Sequence, residues 1–398
     1  MKKAATLTLV LALLFSAVAG TQVVKKARAE TITVPDDYDT IQDAINAAAE
    51  GDTIYVKKGT YEIPENQTLA INRTLSLIGE DSKNTIINLR PSYNVTTFLT
   101  QRWYNYSDAI VINADNVKLK GFTIVPTPGG DISVYGNRTQ ISDNNITTGI
   151  TVIGSYTNIT KNTVGYKFTF KNTSFNFVVG NSISEYFYLE YANSNIISNN
   201  TCEGFTIGYN ERTCSYNIVS GNVMRGDLFL PWGIGIDNSG TDNLFLGNYI
   251  GNYTGVGYGG WGVYLGMHAV NNTFYHNTFV NNKDNVGFMG DPIVLGNFWD
   301  NGKEGNYWDD YDGTDSNKDG IGDTPYVINE NNQDHYPLMS PIDISSVTVD
   351  LPEWASPSPS LEPNSTSAPF PTALVIALVV IITVEGIGLL IYFKKRKR

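Results

Sequence analysis

Seven short segments between residues 141 and 279 repeat one pattern, an Asn flanked by apolar residues, and this repeat restricts the chain to very few folds. Residues 141–146 read Ile-Ser-Asp-Asn-Asn-Ile, 159–164 read Ile-Thr-Lys-Asn-Thr-Val, and 178–183 read Val-Val-Gly-Asn-Ser-Ile. The aligned asparagines are Asn144, Asn162, Asn181, Asn200, Asn222, Asn248 and Asn277, spaced 18, 19, 19, 22, 26 and 29 residues apart. A period near 20 marks one supersecondary unit per repeat, stacked on its neighbours to share a core. No helical periodicity intervenes, so each unit is two or three short strands, one coil of a parallel β-helix.

The apolar neighbours of each Asn are expected in the lumen. The Asn itself is expected at the corner, in a left-handed backbone conformation, its amide stacked on those of adjacent coils. At about 4.8 Å per coil, eight or nine coils predict a rod roughly 40 Å long. Leu77-Ile78-Gly79 and Leu119-Lys120-Gly121 read as degenerate earlier copies. The rising spacings imply loops growing on one side toward the C-terminus, where a binding face would be built.

Upstream, Thr31-Ile32-Thr33-Val34 reads as a strand and Asp39-Thr40 as a helix start. Ile41, Ala44, Ile45 and Ala48 form one apolar helical face. The segment 38–50 would therefore cap the first coil, and the aromatic, acidic stretch 298–340 the last. The β-helix with its caps is placed at 30–340, followed by a Ser/Pro-rich stalk at 341–371.

The ends address the chain to a membrane. Met1-Lys2-Lys3 and an apolar run to Val18 read as a signal peptide within 1–29. The apolar segment 372–393 is long enough to cross a bilayer, and the basic tail 394–398 would stay cytoplasmic. A single-pass type I protein with its bulk outside the cell is expected. Glu385, inside that span with Gly386 and Gly388, could face a transmembrane partner.

The whole chain carries 27 basic and 39 acidic residues. Without the five basic residues of each terminus, 17 basic face 39 acidic ones, a net charge of −22. Such a surface excludes nucleic acid as a partner. Cys202 and Cys214 could pair in an exported chain. Twelve Asn-x-Ser/Thr patterns are compatible with glycosylation.

The opening Val34-Pro35, Tyr38-Asp39-Thr40-Ile41-Gln42-Asp43-Ala44-Ile45 and Gly51-Asp52-Thr53-Ile54 resembles the N-terminal cap of the NosD-like β-helix proteins. Gly305-Asn306-Tyr307-Trp308-Asp309-Asp310-Tyr311 and Asp319-Gly320-Ile321-Gly322-Asp323-Thr324-Pro325-Tyr326 resemble their C-terminal end. The resemblance covers about residues 31–340. It implies an all-β, single-stranded right-handed parallel β-helix of the pectate-lyase type, within a wider group of carbohydrate-binding and sugar-hydrolysing proteins. The scaffold carries lyases, hydrolases, esterases and non-catalytic surface proteins alike, so it does not select a chemistry.

Several local features suggest sites. Asp315, Asn317, Asp319, the Ile321 carbonyl and Asp323 stand at positions 1, 3, 5, 7 and 9 of a calcium-type loop, with Gly320 at the turn and no acid at position 12. The ordinary alternative is an acidic hairpin turn. Copper follows only from the family name: three His (His268, His276, His335) and five Met show no ligand spacing. Asp227, Asp237 and Asp242 with Arg225 are candidates for a carbohydrate-active enzyme, but no spacing selects a pair. Trp232, Tyr258, Trp261 and Tyr264 could stack on sugar rings or equally pack loops. The preferred expectation is a non-catalytic surface β-helix that binds glycan or a protein partner. The alternatives are an extracellular polysaccharide hydrolase or lyase, and an accessory to a membrane transporter or metal-maturation system.

Overall fold

A computed structural model describes residues 29–64, 67–89, 108–125, 130–208, 213–226, 231–237, 239–255, 259–288 and 296–344. The proposed signal peptide, stalk, membrane segment, Glu385, Asp227 and Tyr258 fall outside these residues, apart from residue 29 and the first residues of the stalk. No helix among the described residues is long and apolar enough to cross a membrane.

Strands of two to five residues wind through three parallel sheets. In chain order each coil visits sheet I, sheet II and sheet III. Sheet I has 11 strands from Thr31–Val34 to Thr273–Tyr275, sheet II has 11 from Gly59–Ile63 to Tyr307–Trp308, and sheet III has 10 from Leu69–Ile71 to Asp284–Phe288. Every contact between successive coils is parallel and in register, as in Ile141 with Ile159 and Phe168 with Phe187. This is a parallel β-helix, of the kind whose crossovers wind right-handed.

The lumen is filled by alternate residues of each strand, as a period of two requires. Ile150 and Val152, Phe168 and Phe170, and Phe187 and Leu189 are all fully buried. Rings stack coil on coil: Phe187 lies on Phe205 at 4.7 Å and Phe245 on Phe274 at 4.6 Å.

More coils exist than the Asn repeat indicates, because the early ones turn on different residues. Gly79 and Gly121 occupy the first corners, where a Cβ on Gly79 would lie 2.2 Å from the Gly121 carbonyl oxygen. Only glycine permits that approach, so these coils lack the Asn that marks the others.

The corner differs from expectation in a second way. The left-handed residue is the one before each Asn, namely Asp143, Lys161, Gly180, Asn199, Gly221, Gly247 and His276. The Asn itself turns its amide inward and is buried. Each Oδ1 accepts the backbone N–H and the Nδ2 of the Asn one coil earlier, at 2.8–3.1 Å, from Asn144 through Asn277 to Asn306. The second Nδ2 proton goes to a carbonyl, such as Ile159 for Asn181. Full pairing is what makes a buried amide tolerable.

A second ladder runs at the corner between sheets III and I. Asn176, Asn195, Asn217, Asn243, Asn272 and Asn297 form the same chain of bonds. Residues added in the wider coils border sheet III on both edges, because the span between the two ladders is fixed. The loops expected to grow on one side thus flank the sheet III strands.

At the first end the helix Ile41–Ala47 buries Ile41, Ala44 and Ile45, its N-cap Thr40 accepting from the Asp43 N–H. At the last end Trp308 stacks between Phe279 and Tyr326, at 4.3 Å from each, and Trp299 stacks on Phe274. Asp334 terminates the first ladder there.

The disulfide considered for Cys202 and Cys214 is absent: both are free, buried thiols. Cys202 sits in a sheet II strand, whereas Cys214 lies at the corner between sheets III and I, its Sγ donating to the Leu189 carbonyl at 3.2 Å. Burial pushes both thiols up, which keeps them protonated and unreactive.

Candidate functional site

The outer face of sheet III gathers aromatic and ionisable groups. Toward the C-terminus the strand Trp232–Ile236 pairs with Trp261–Leu265, setting Trp232 beside Trp261. Gly235 on the first of these strands and Gly287 on the next strand, Asp284–Phe288, face outward and leave room above the backbone. The Trp232 indole lies across Gly235, where a Cβ would be 2.4 Å from its Nε1, and the Trp261 indole lies across Gly287. Tyr264 stands between them, 5.0 Å from each indole with interplanar angles of 11° and 22°. The three half-exposed rings form a shelf with polar edges. Trp232 Nε1 donates to Thr206 Oγ1 at 3.4 Å.

Further toward the N-terminus the face becomes polar. Tyr186 and Tyr188 lie 5.5 Å apart, and the Lys167 ammonium sits over the Tyr166 ring. Burial holds the Glu185 carboxyl above its ordinary range, opposed by Lys167. Burial also raises Asp108, which bonds Ser133 and feels the Asp131 charge. The phenols of Tyr166 and Tyr186 are pushed up by burial and by Glu185.

Of the sequence candidates, Trp232, Trp261 and Tyr264 are brought together. Of the groups proposed for catalysis, Asp227 lies outside the described residues and Arg225 stands apart from Asp237 and Asp242. Arg225 stands on sheet II, its guanidinium over the Tyr249 ring at 5.7 Å. Asp237 follows the strand Trp232–Ile236, and Asp242 is a left-handed corner residue before the second ladder. Both lie in the connection from sheet III to sheet I, whereas Arg225 is on sheet II.

In the 315–323 loop the carboxylates bond the loop itself. Asp315 accepts from the N–H groups of Lys318, Asp319 and Gly320, Asp319 from Ile321 N–H and Asn317 Nδ2, and Asp323 from Thr314 and Ser316. Among the described residues no three His, Cys, Asp or Glu converge to hold a metal.

Copper donors are dispersed. His276 bonds Glu304 at 2.7 Å and His335 bonds Asp300 at 3.0 Å, while His268 and Met267 are exposed. Met224 is buried in the lumen with the two thiols. These residues do not fit a copper site, which needs several soft or imidazole donors around one point.

Tyr186, Tyr188, Asp108, Asp131 and Glu185 were not singled out by sequence. The signal exists: the middle residue of Phe168-Thr169-Phe170, Phe187-Tyr188-Leu189 and Phe205-Thr206-Ile207 faces out on each coil.

A family model described as periplasmic copper-binding protein (NosD) matches residues 106–313. Among solved structures the chain is similar to the Dettilon tailspike protein, at 15% identity over 69% of this chain and 66% of that one, with a TM-score of 0.48. That share is just under two thirds of the tailspike chain. It is also similar to the A-module of the Azotobacter vinelandii mannuronan C-5 epimerase AlgE6 (13% identity, 65% and 92% covered, TM-score 0.36) and to pectin methylesterase from carrot (11%, 67% and 84%, TM-score 0.28). Comparison with curated proteins gives no match.

Proposed function

The chain belongs to the NosD family, and from that premise we propose that it is a cell-surface β-helix that binds glycan on the outer face of sheet III without turning it over. The observation that supports the reading is the shelf of Trp232, Tyr264 and Trp261, whose flat rings are held over glycines rather than packed into the lumen. Planar aromatic surface with polar edges suits the apolar face of a sugar ring. Tethering by 372–393 with the tail 394–398 inside belongs to the same proposal, as does a membrane partner reached through Glu385. Calcium at 315–323 is proposed from the donor types, whose carboxylates would have to exchange loop amides for the ion. A protein ligand is the second occupant considered for the shelf.

A glycan array probed with the full chain, beside Trp232→Ala and Trp261→Ala, tests the reading. Binding that both substitutions abolish is expected, without release of reducing sugar. Equal binding by the variants would remove the shelf from the proposal, and released product would make the protein an enzyme.

A further inference from the structure

One register position on the outer face of sheet III carries a hydroxyl on five successive strands. Ser133 pairs with Thr151, Thr151 with Thr169, Thr169 with Tyr188, and Tyr188 with Thr206. The same position continues through Gly235, Tyr264 and Gly287, the floor of the aromatic shelf. From Ser133 to Tyr264 its neighbours along each strand are buried in the lumen, so the row points outward. Thr151, Thr169 and Tyr188 are half-exposed. Thr206 is already engaged by Trp232 and Ser133 by Asp108. The row and the shelf are thus one track running along the helix axis.

Strands in the track are spaced about 4.8 Å apart, slightly less than the rise per sugar of an extended β-1,4-linked pyranose chain. A chain laid along the axis meets one new rung per sugar unit, and a chain laid across it does not. Charge restricts the chain further. Asp108, Asp131, Glu185 and Glu190 flank the track against Lys167 and Lys171, and Lys171 is paired with Glu190 at 3.8 Å. A polyanion is disfavoured beside such a surface.

We infer that the track binds a linear, uncharged glycan lengthwise, its rings on Trp232, Tyr264 and Trp261 and its hydroxyls along Tyr188, Thr169 and Thr151. This rests on the glycan reading of the shelf and adds direction, length and charge.

Calorimetric titration of the full chain tests it, with β-1,4-linked glucose and N-acetylglucosamine oligomers of two to six units and an oligogalacturonate of matched length. Affinity for the neutral oligomers is expected to rise by on the order of tenfold or more from two units to six, as added rungs are engaged. Tyr188→Ala and Thr169→Val then cost the six-unit chain more than the two-unit one, and Trp232→Ala costs both. A six-unit chain that binds no tighter than two units, or is indifferent to Tyr188→Ala, overturns the lengthwise track while leaving a Trp232-dependent shelf standing. Tighter binding of the oligogalacturonate overturns the charge assignment. Failure of every oligomer to bind overturns track and shelf together. Far-UV circular dichroism and a melt of each variant exclude misfolding as the cause.

Discussion

The carboxylate of Asp334 is fully buried at the end of a run of amides, its Oδ2 accepting from Asn306 N–H at 2.7 Å and Trp308 Nε1 at 2.9 Å. Burial pushes it up to about 6, against hydrogen bonds that hold it down. The folded state therefore takes its proton more readily than the unfolded chain. Its contribution is fully present below about pH 4 and is lost as pH rises through about 6, a span of about 3 kcal/mol at most. Urea unfolding of Asp334→Asn beside the parent chain at pH 4, 5, 6 and 7 checks this. The variant keeps an acceptor and no charge, so it is expected to gain on the parent as pH rises. A constant difference would show that Asp334 stays ionised throughout. Gly235 permits a second forecast at this scale. Gly235→Ala sets a Cβ against the Trp232 indole, so glycan binding should weaken while the melting temperature falls only slightly.

Each Asn in a ladder serves several groups at once. Asn200 Oδ1 accepts from the N–H and Nδ2 of Asn181, and its own Nδ2 donates to Val178 O and Asn222 Oδ1. Asn200→Ala leaves these buried groups unmatched and is expected to cost about 3–5 kcal/mol, as two or more buried polar groups lose partners. Denaturant unfolding measures it, and a loss below 1 kcal/mol would mean water replaces the amide. At the calcium-type loop, added Ca2+ should raise the melting temperature and Asp319→Ala should remove the effect; an unchanged melt in Ca2+ and in chelator would end the calcium proposal. The elements also show how legible the chain was. The first ladder was visible as a repeat. The second was equally visible, because Asn176 and Asn181, Asn195 and Asn200, Asn217 and Asn222, Asn243 and Asn248, and Asn272 and Asn277 all lie five apart. That fixed interval is one sheet I strand between two corners.

Because each coil touches only its neighbours, stability is close to a sum over coils and their interfaces. Deleting residues 163–181 removes one whole coil and joins Asn162 to Ser182, so that Asn162 meets Asn200 in the register Asn181 now holds. The shortened chain is expected to fold and to melt cooperatively a few degrees lower, by circular dichroism. Loss of all β signal would show that the coils are not interchangeable. The same deletion removes Thr169 from the track, and a six-unit neutral glycan should bind more weakly.

The sequence by itself determined the winding. Inward amides and alternating apolar residues recur at coil length, and a local repeat is enough to specify nearest-neighbour stacking. It also carried the Trp and Tyr residues of the shelf, without their arrangement. Only the tertiary structure decided which side chains share a face. Arg225 is close in sequence to Asp237 and Asp242 yet stands on sheet II, while they lie in the connection from sheet III to sheet I. Tyr188, Thr206, Gly235 and Tyr264 are far apart in sequence yet share one register position. In a β-helix a coil closes after some twenty residues, so neighbours on a face are set by the register of strands a full turn apart and by the length of every loop between them.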